Sequence, residues 1–108
     1  MATDALLVLC TCPDAETAQR IAQQLVANRL AACVNLLPGL TSVYRWDDAV
    51  QTADETLLLV KTGRGCYAAL EETVRAMHPY ELPEILALPV EQGLKGYLDW
   101  IRQCTSLS

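Results

Sequence analysis

The only histidine of this 108-residue chain lies in the stretch AMHPYELPEIL, among residue types that bind metals. Pro79 disfavours helical geometry at the residue before it, so His78 is expected where a helix ends. The predicted topology places Cys10, near the end of one strand, and Glu84, at the start of another, at the same end of the sheet as His78. We call this end the rim. A thiolate, an imidazole and a carboxylate together favour copper or zinc over calcium or magnesium. The thioether of Met77 is a further soft donor, suited to Cu(I).

Each of these residues also has a purely structural interpretation. A histidine at a helix C-terminus can cap carbonyls and interact with the helix dipole, and a free cysteine in an apolar strand is usually a small buried hydrophobe. Cys12 shares a face with Cys10 only if the strand continues, but Pro13 favours a turn, so Cys12 is predicted as a turn residue and a reserve ligand. Because His78 is expected at a loop entrance, its replacement by alanine should cost no more than about 1 kcal/mol.

An enzymatic site is a second interpretation of the same residues. Cys10 and His78 resemble a thiolate–imidazole nucleophile pair, but the sequence offers no third group to orient them. The chain has no Gly-x-Ser-x-Gly elbow and no P-loop, and Gly63-Arg64-Gly65 is too short for a dinucleotide fingerprint. We therefore predict that the protein is not an enzyme.

Composition narrows the class of protein further. Eight basic and thirteen acidic residues give a net charge of −5 without a Lys/Arg cluster, which disfavours nucleic-acid and anionic-membrane binding. The five cysteines form no Cys-x-x-Cys pair, so reduced thiols are expected.

The N-terminus lacks a basic segment, and the apolar run from Ala5 to Cys10 is too short for a signal sequence or a membrane span, which predicts a cytoplasmic protein. The length predicts one domain over residues 1–108.

Hydrophobic periodicity predicts the elements that position these residues. Strands are predicted at 5–11, within 30–46, at 56–60 and at 84–90, and helices after Pro13, around 67–77 and around 94–101. The order βαββαβ with a tail helix predicts a ferredoxin-like antiparallel sheet of strand order 4-1-3-2, an α+β fold. In this topology Cys33 lies at the end of the sheet away from His78 and could join that site only across a subunit interface.

The predicted sheet has more apolar surface than its helices can cover. Both faces of the first and third strands are apolar, as in ALLVLCT and TLLLV, yet both crossover helices lie on one face. The uncovered face needs a partner, and the simplest partner is another copy of the chain. The sequence therefore predicts an oligomer.

Four motifs in order make the chain resemble the CutA family of divalent-cation-tolerance proteins. They are LCTCPD at 9–14, RLAACVNLLPG at 29–39, SVYRW at 42–46 and HPYELPEIL at 78–86. The resemblance implies a ferredoxin-like fold in a homotrimer, a part in metal-ion tolerance and the binding of copper, with zinc as the alternative ion. Some bacterial members have a histidine where Met77 stands, so only His78 carries over directly.

The family is similar in architecture to the trimeric PII signalling proteins, in which the hairpins of one subunit extend the sheet of the next. Tyr44, Arg45 and Trp46 are the predicted interface residues, and packing within one hairpin is the alternative. Asp48 stands where members usually have glycine, so the hairpin tip is expected to differ in shape. A signalling or interaction trimer that binds a small molecule in its intersubunit clefts is the alternative function.

Overall fold

A computed structural model describes residues 3–105 of the chain. The predicted domain over residues 1–108 therefore includes residues 1–2 and 106–108, which lie outside the described residues. The elements, in chain order, are β1 (Ala5–Cys12), α1 (Ala15–Ala27), β2 (Cys33–Trp46), β3 (Ala49–Gly63), α2 (Tyr67–Met77), β4 (Ile85–Pro89) and α3 (Lys95–Cys104). The strands form an antiparallel sheet of order β2-β3-β1-β4. This is the predicted order 4-1-3-2 counted from the other edge.

Helix α1 begins, and helix α2 ends, where the sequence indicates. The carboxylate of Asp14 caps α1 by accepting a 2.7 Å hydrogen bond from the backbone N–H of Thr17. Helix α2 ends at Met77, and His78 has the extended backbone that a following proline favours (φ −80°, ψ 135°). The imidazole is thereby placed where the end of α2 lies beside the end of β1.

Strand β1 continues one residue further than predicted. Cys12 is its last residue and pairs with Thr56 of β3. The prediction of a turn at Cys12 is wrong because the steric effect of Pro13 on the residue before it favours extended geometry. Pro13 has no backbone N–H to donate, but this removes no hydrogen bond between β1 and β3, because Pro13 follows the last paired residue.

The β2–β3 hairpin extends well beyond the rest of the sheet. β1 pairs with β3 only from Thr56 onward, so the part of the hairpin at residues 40–55, which we call the arm, has no third strand beside it among residues 3–105. Asp47 and Asp48 form its tip with φ values of 52° and 60°, the left-handed geometry of a two-residue type I′ turn. At the base of the arm the register shifts by a bulge at Pro38-Gly39, where Gly39 has φ 79°.

The two faces of the sheet have different surroundings. One face packs against α1 and α2 around a core that includes Val8, Ile21, Leu58 and Leu70. Within the described part of the chain, the other face, the open face, is covered only at one end, where Ile101 of α3 packs on two alanines. Strand alternation and register place six leucines of β1, β3 and β4 on the open face: Leu7, Leu9, Leu57, Leu59, Leu86 and Leu88. None of the helices within residues 3–105 is long and apolar enough to cross a membrane.

Candidate metal centre

Three buried donors converge at the rim where β1 ends. One potential ligand atom from each of Cys10, Cys12 and His78 lies within 4.8 Å of the other two. The cysteines are two residues apart on β1, so strand alternation directs both side chains to the helix-covered face, while the end of α2 places His78 beside them. The three residues are 1%, 0% and 7% exposed, respectively. A shielded cluster of two sulfurs and one nitrogen results.

Both ring nitrogens of His78 are engaged in hydrogen bonds. Nε2 lies 2.7 Å from the backbone carbonyl oxygen of Thr11, and Nδ1 accepts a 3.2 Å hydrogen bond from the backbone N–H of Tyr80. Because a carbonyl can only accept, Nε2 carries the proton and the ring is the neutral tautomer. His78 stands at the entrance of the loop after α2, as predicted, but the expectation that it has little structural role is wrong, since its side chain is buried and joins α2 to β1.

The two thiols interact with each other as well as with their surroundings. The pKa of the Cys10 thiol is raised because its S–H is within hydrogen-bonding reach of the Cys12 sulfur, and burial raises it further. The same contact lowers the pKa of the Cys12 thiol, although burial opposes that change. Cys12 is therefore the thiol that ionises first. The sequence had predicted it only as a backup ligand.

Of the other predicted ligands, Glu84 lies outside this cluster and Met77 directly precedes His78 in the chain. Met77, the last residue of α2, is half-buried and packs against the main core. Glu84 is exposed in the loop before β4, close enough for its carboxylate to add to the rise in the pKa of Cys10. Cys33 pairs with Lys61, toward the opposite end of the sheet, as the topology predicted.

Tyr80 connects the candidate centre to the neighbouring surface. Its ring centroid lies 4.7 Å from that of His78, and its hydroxyl donates a 2.8 Å hydrogen bond to Oε2 of Glu55. Neither Tyr80 nor Glu55 was predicted as a site residue. Tyr80 stands two residues after His78 and could have been considered, but the contact with Glu55 depends on the arm and has no local sequence signal.

The predicted interface residues lie on the arm near its tip. Tyr44 and Trp46 are 44% and 42% exposed, and Arg45 is exposed as well. Tyr44 pairs with Gln51, and Trp46 pairs with Ala49 beside the turn. These large side chains therefore contribute little to the core of a single chain.

The chain is similar to proteins of one known family over nearly its whole length. The family model described as "CutA1 divalent ion tolerance protein" matches residues 6–104. The "Divalent-cation tolerance protein CutA" of Thermus thermophilus is 54% identical over 99 residues, which cover 92% of this chain and 96% of that protein. "Protein CutA" of Homo sapiens is 48% identical over 95 residues, 88% of this chain, and the match spans about half (53%) of the human protein's length.

A solved structure from Thermus thermophilus, described as "Divalent cation tolerance protein (Cut A1)", has the same fold. It superposes with a TM-score of 0.93 at 52% identity, covering 94% of this chain and 99% of the other. The ferredoxin-like arrangement predicted from the sequence is thus confirmed both by the sheet order and by this similarity.

Proposed function

The chain belongs to the CutA1 divalent ion tolerance family, and from that premise we propose that it contributes to the tolerance of divalent metal ions by binding copper in the cytoplasm. The observation that carries the proposal is the convergence of Cys10, Cys12 and His78 within 4.8 Å. Thiolate and imidazole donors suit copper and zinc, whereas calcium and magnesium require several oxygen ligands. Two sulfurs favour Cu(I), and zinc is the competing ion.

The sulfur and nitrogen donors suit such an ion, provided that His78 gives up one hydrogen bond so that a ring nitrogen can bind the metal. Nε2–H of His78 donates to Thr11 and Nδ1 accepts from Tyr80, so ligation through the Nδ1 lone pair requires the ring to release the Tyr80 N–H. The bond that remains would then orient the ring, as the second nitrogen of a metal-bound histidine commonly does. Met77 and Glu84, which lie beside the cluster, are proposed as further donors.

We also propose that the protein acts as a homotrimer. The support is the open face, where Leu86 and Leu88 are 57% and 44% exposed, and the arm, which carries Tyr44, Arg45 and Trp46. A small domain that leaves this much apolar surface uncovered favours association with further copies. The names of its relatives describe tolerance proteins, so neither an enzymatic role nor the signalling alternative is favoured.

A competition titration tests copper binding at the proposed donors. Cu(I) is added under anaerobic conditions to the protein in the presence of a chromophoric chelator, and affinity is measured for wild type, Cys12→Ser and Cys104→Ser. Cys104 lies at the end of α3, outside the cluster, and serves as the matched control. We expect Cys12→Ser to weaken binding by at least about tenfold and the control to bind as wild type. Equal affinity in all three proteins would reject the site.

A further inference from the structure

Tyr80 lies between the candidate metal centre and the arm and is bonded to both. Its backbone N–H donates the 3.2 Å hydrogen bond to Nδ1 of His78, and its ring centroid lies 4.7 Å from that of the imidazole. At the far end of the same ring, the hydroxyl donates a 2.8 Å hydrogen bond to Oε2 of Glu55, the last residue of the arm. One half-buried residue therefore links the histidine of the centre to the arm.

Glu55 fixes the other end of this connection. Its side chain is 7% exposed, and it directly precedes Thr56, the residue at which pairing with β1 begins. Lys95–Asp99 is the sole ion pair within residues 3–105, so no basic side chain of the described chain is paired with this carboxylate. A buried carboxylate without a hydrogen bond is costly, and hydrogen bonds to charged acceptors are stronger than neutral ones. The bond from Tyr80 therefore holds the loop at 79–84 against the arm.

Metal ligation by His78 acts on the opposite end of Tyr80. The 2.7 Å bond from Nε2 to the Thr11 carbonyl holds the imidazole, so Nδ1 can bind an ion only when the Tyr80 N–H leaves it. The ring of Tyr80 packs against the same imidazole. Because a tyrosine side chain is rigid beyond its two torsion angles, displacing its backbone also displaces its hydroxyl.

We propose that the Tyr80–Glu55 hydrogen bond is a latch on the metal centre, which holds the loop at 79–84 in its metal-free conformation and opens when His78 binds an ion. The inference rests on the proposed function, because it concerns the regulation of that same centre. By linkage, a bond present only in the metal-free state lowers metal affinity, and metal binding weakens that bond in return. The latch needs no free surface, since its two partners belong to one chain and already contact each other.

Cu(I) affinity in a matched pair of tyrosine variants tests the latch on the full chain. Tyr80→Phe removes the hydroxyl that bonds Glu55 and keeps the ring and the backbone N–H. Tyr67→Phe is the control, because the Tyr67 hydroxyl donates an equally short 2.8 Å bond to Glu71, at the end of α2 away from the rim. In the anaerobic competition titration, we expect Tyr80→Phe to bind Cu(I) about fivefold to tenfold more tightly than wild type, and Tyr67→Phe to bind as wild type. A purely structural role for the Tyr80 hydroxyl would leave affinity unchanged or lower it.

Hydrogen–deuterium exchange on wild type provides a second measurement that needs no variant. Cu(I) should speed exchange of the amides at 80–84, because the loop is released, and slow exchange in β1. The latch alone is overturned if wild-type binding depends on Cys12 but Tyr80→Phe binds no more tightly, or if exchange at 80–84 does not rise with Cu(I). If wild type binds no Cu(I), or if Cys12→Ser binds it as wild type does, the proposed function fails and the latch fails with it.

Discussion

Nε2 of His78 donates a 2.7 Å hydrogen bond to the backbone carbonyl of Thr11, which joins the end of α2 to the end of β1 across 67 residues of sequence. Thr11 lies between Cys10 and Cys12, so the bond holds the imidazole beside both thiols. The same histidine therefore connects α2 to β1 and is the third member of the candidate donor set. Its structural role and its proposed metal-binding role are linked through this one bond.

Replacing His78 with alanine should destabilise the protein substantially. The change leaves the Thr11 carbonyl and the Tyr80 N–H without their partners in a buried region, and it opens a cavity. We expect a loss of about 2 to 4 kcal/mol in the free energy of unfolding. Guanidinium denaturation at fixed protein concentration measures it, with the exposed α2 variant Glu72→Ala as control. A loss in His78→Ala no larger than in the control would show that these bonds contribute nothing.

The hydroxyl of Tyr80 should ionise well above the usual range of a tyrosine. Burial and the hydrogen bond to Glu55 raise the pKa of its hydroxyl. A raised folded-state pKa contributes stability that is fully present below the unfolded value of about 10 and is lost as pH rises from there through the folded value. Ultraviolet titration should show one strongly delayed tyrosine, which disappears in Tyr80→Phe. An unchanged titration curve in that variant would contradict the assignment.

Much of the fold follows from local sequence signals. The start of a helix after Pro13, the helix stop before Pro79 and the strand order were all predicted correctly because each rests on short-range geometry or on connection rules. The site was harder to predict. Cys12 was assigned to a turn because the effect of Pro13 was placed one residue too early, and the Tyr80–Glu55 contact joins residues 25 apart through an arm whose path the sequence does not specify.

The open face should hold the assembled protein together. Leu86 is 57% exposed on the open face, so Leu86→Asp places a charge where we propose that another copy packs. We expect wild type to sediment as a trimer and Leu86→Asp as a monomer. Val26→Asp is the control, since Val26 is 43% exposed on α1, on the other side of the sheet. A monomeric wild type, or a trimeric Leu86→Asp, would contradict this arrangement.

X-ray absorption at the copper edge of the Cu(I)-loaded protein tests the central claim most directly, because it counts the sulfur and nitrogen atoms around the ion. We predict at least two sulfur donors and one imidazole nitrogen, including those of Cys10, Cys12 and His78, and the loss of one sulfur in Cys12→Ser. Cys104→Ser should leave the spectrum unchanged, since Cys104 lies outside the cluster. A spectrum without sulfur, or one identical in wild type and Cys12→Ser, would show that these buried thiols do not hold the metal.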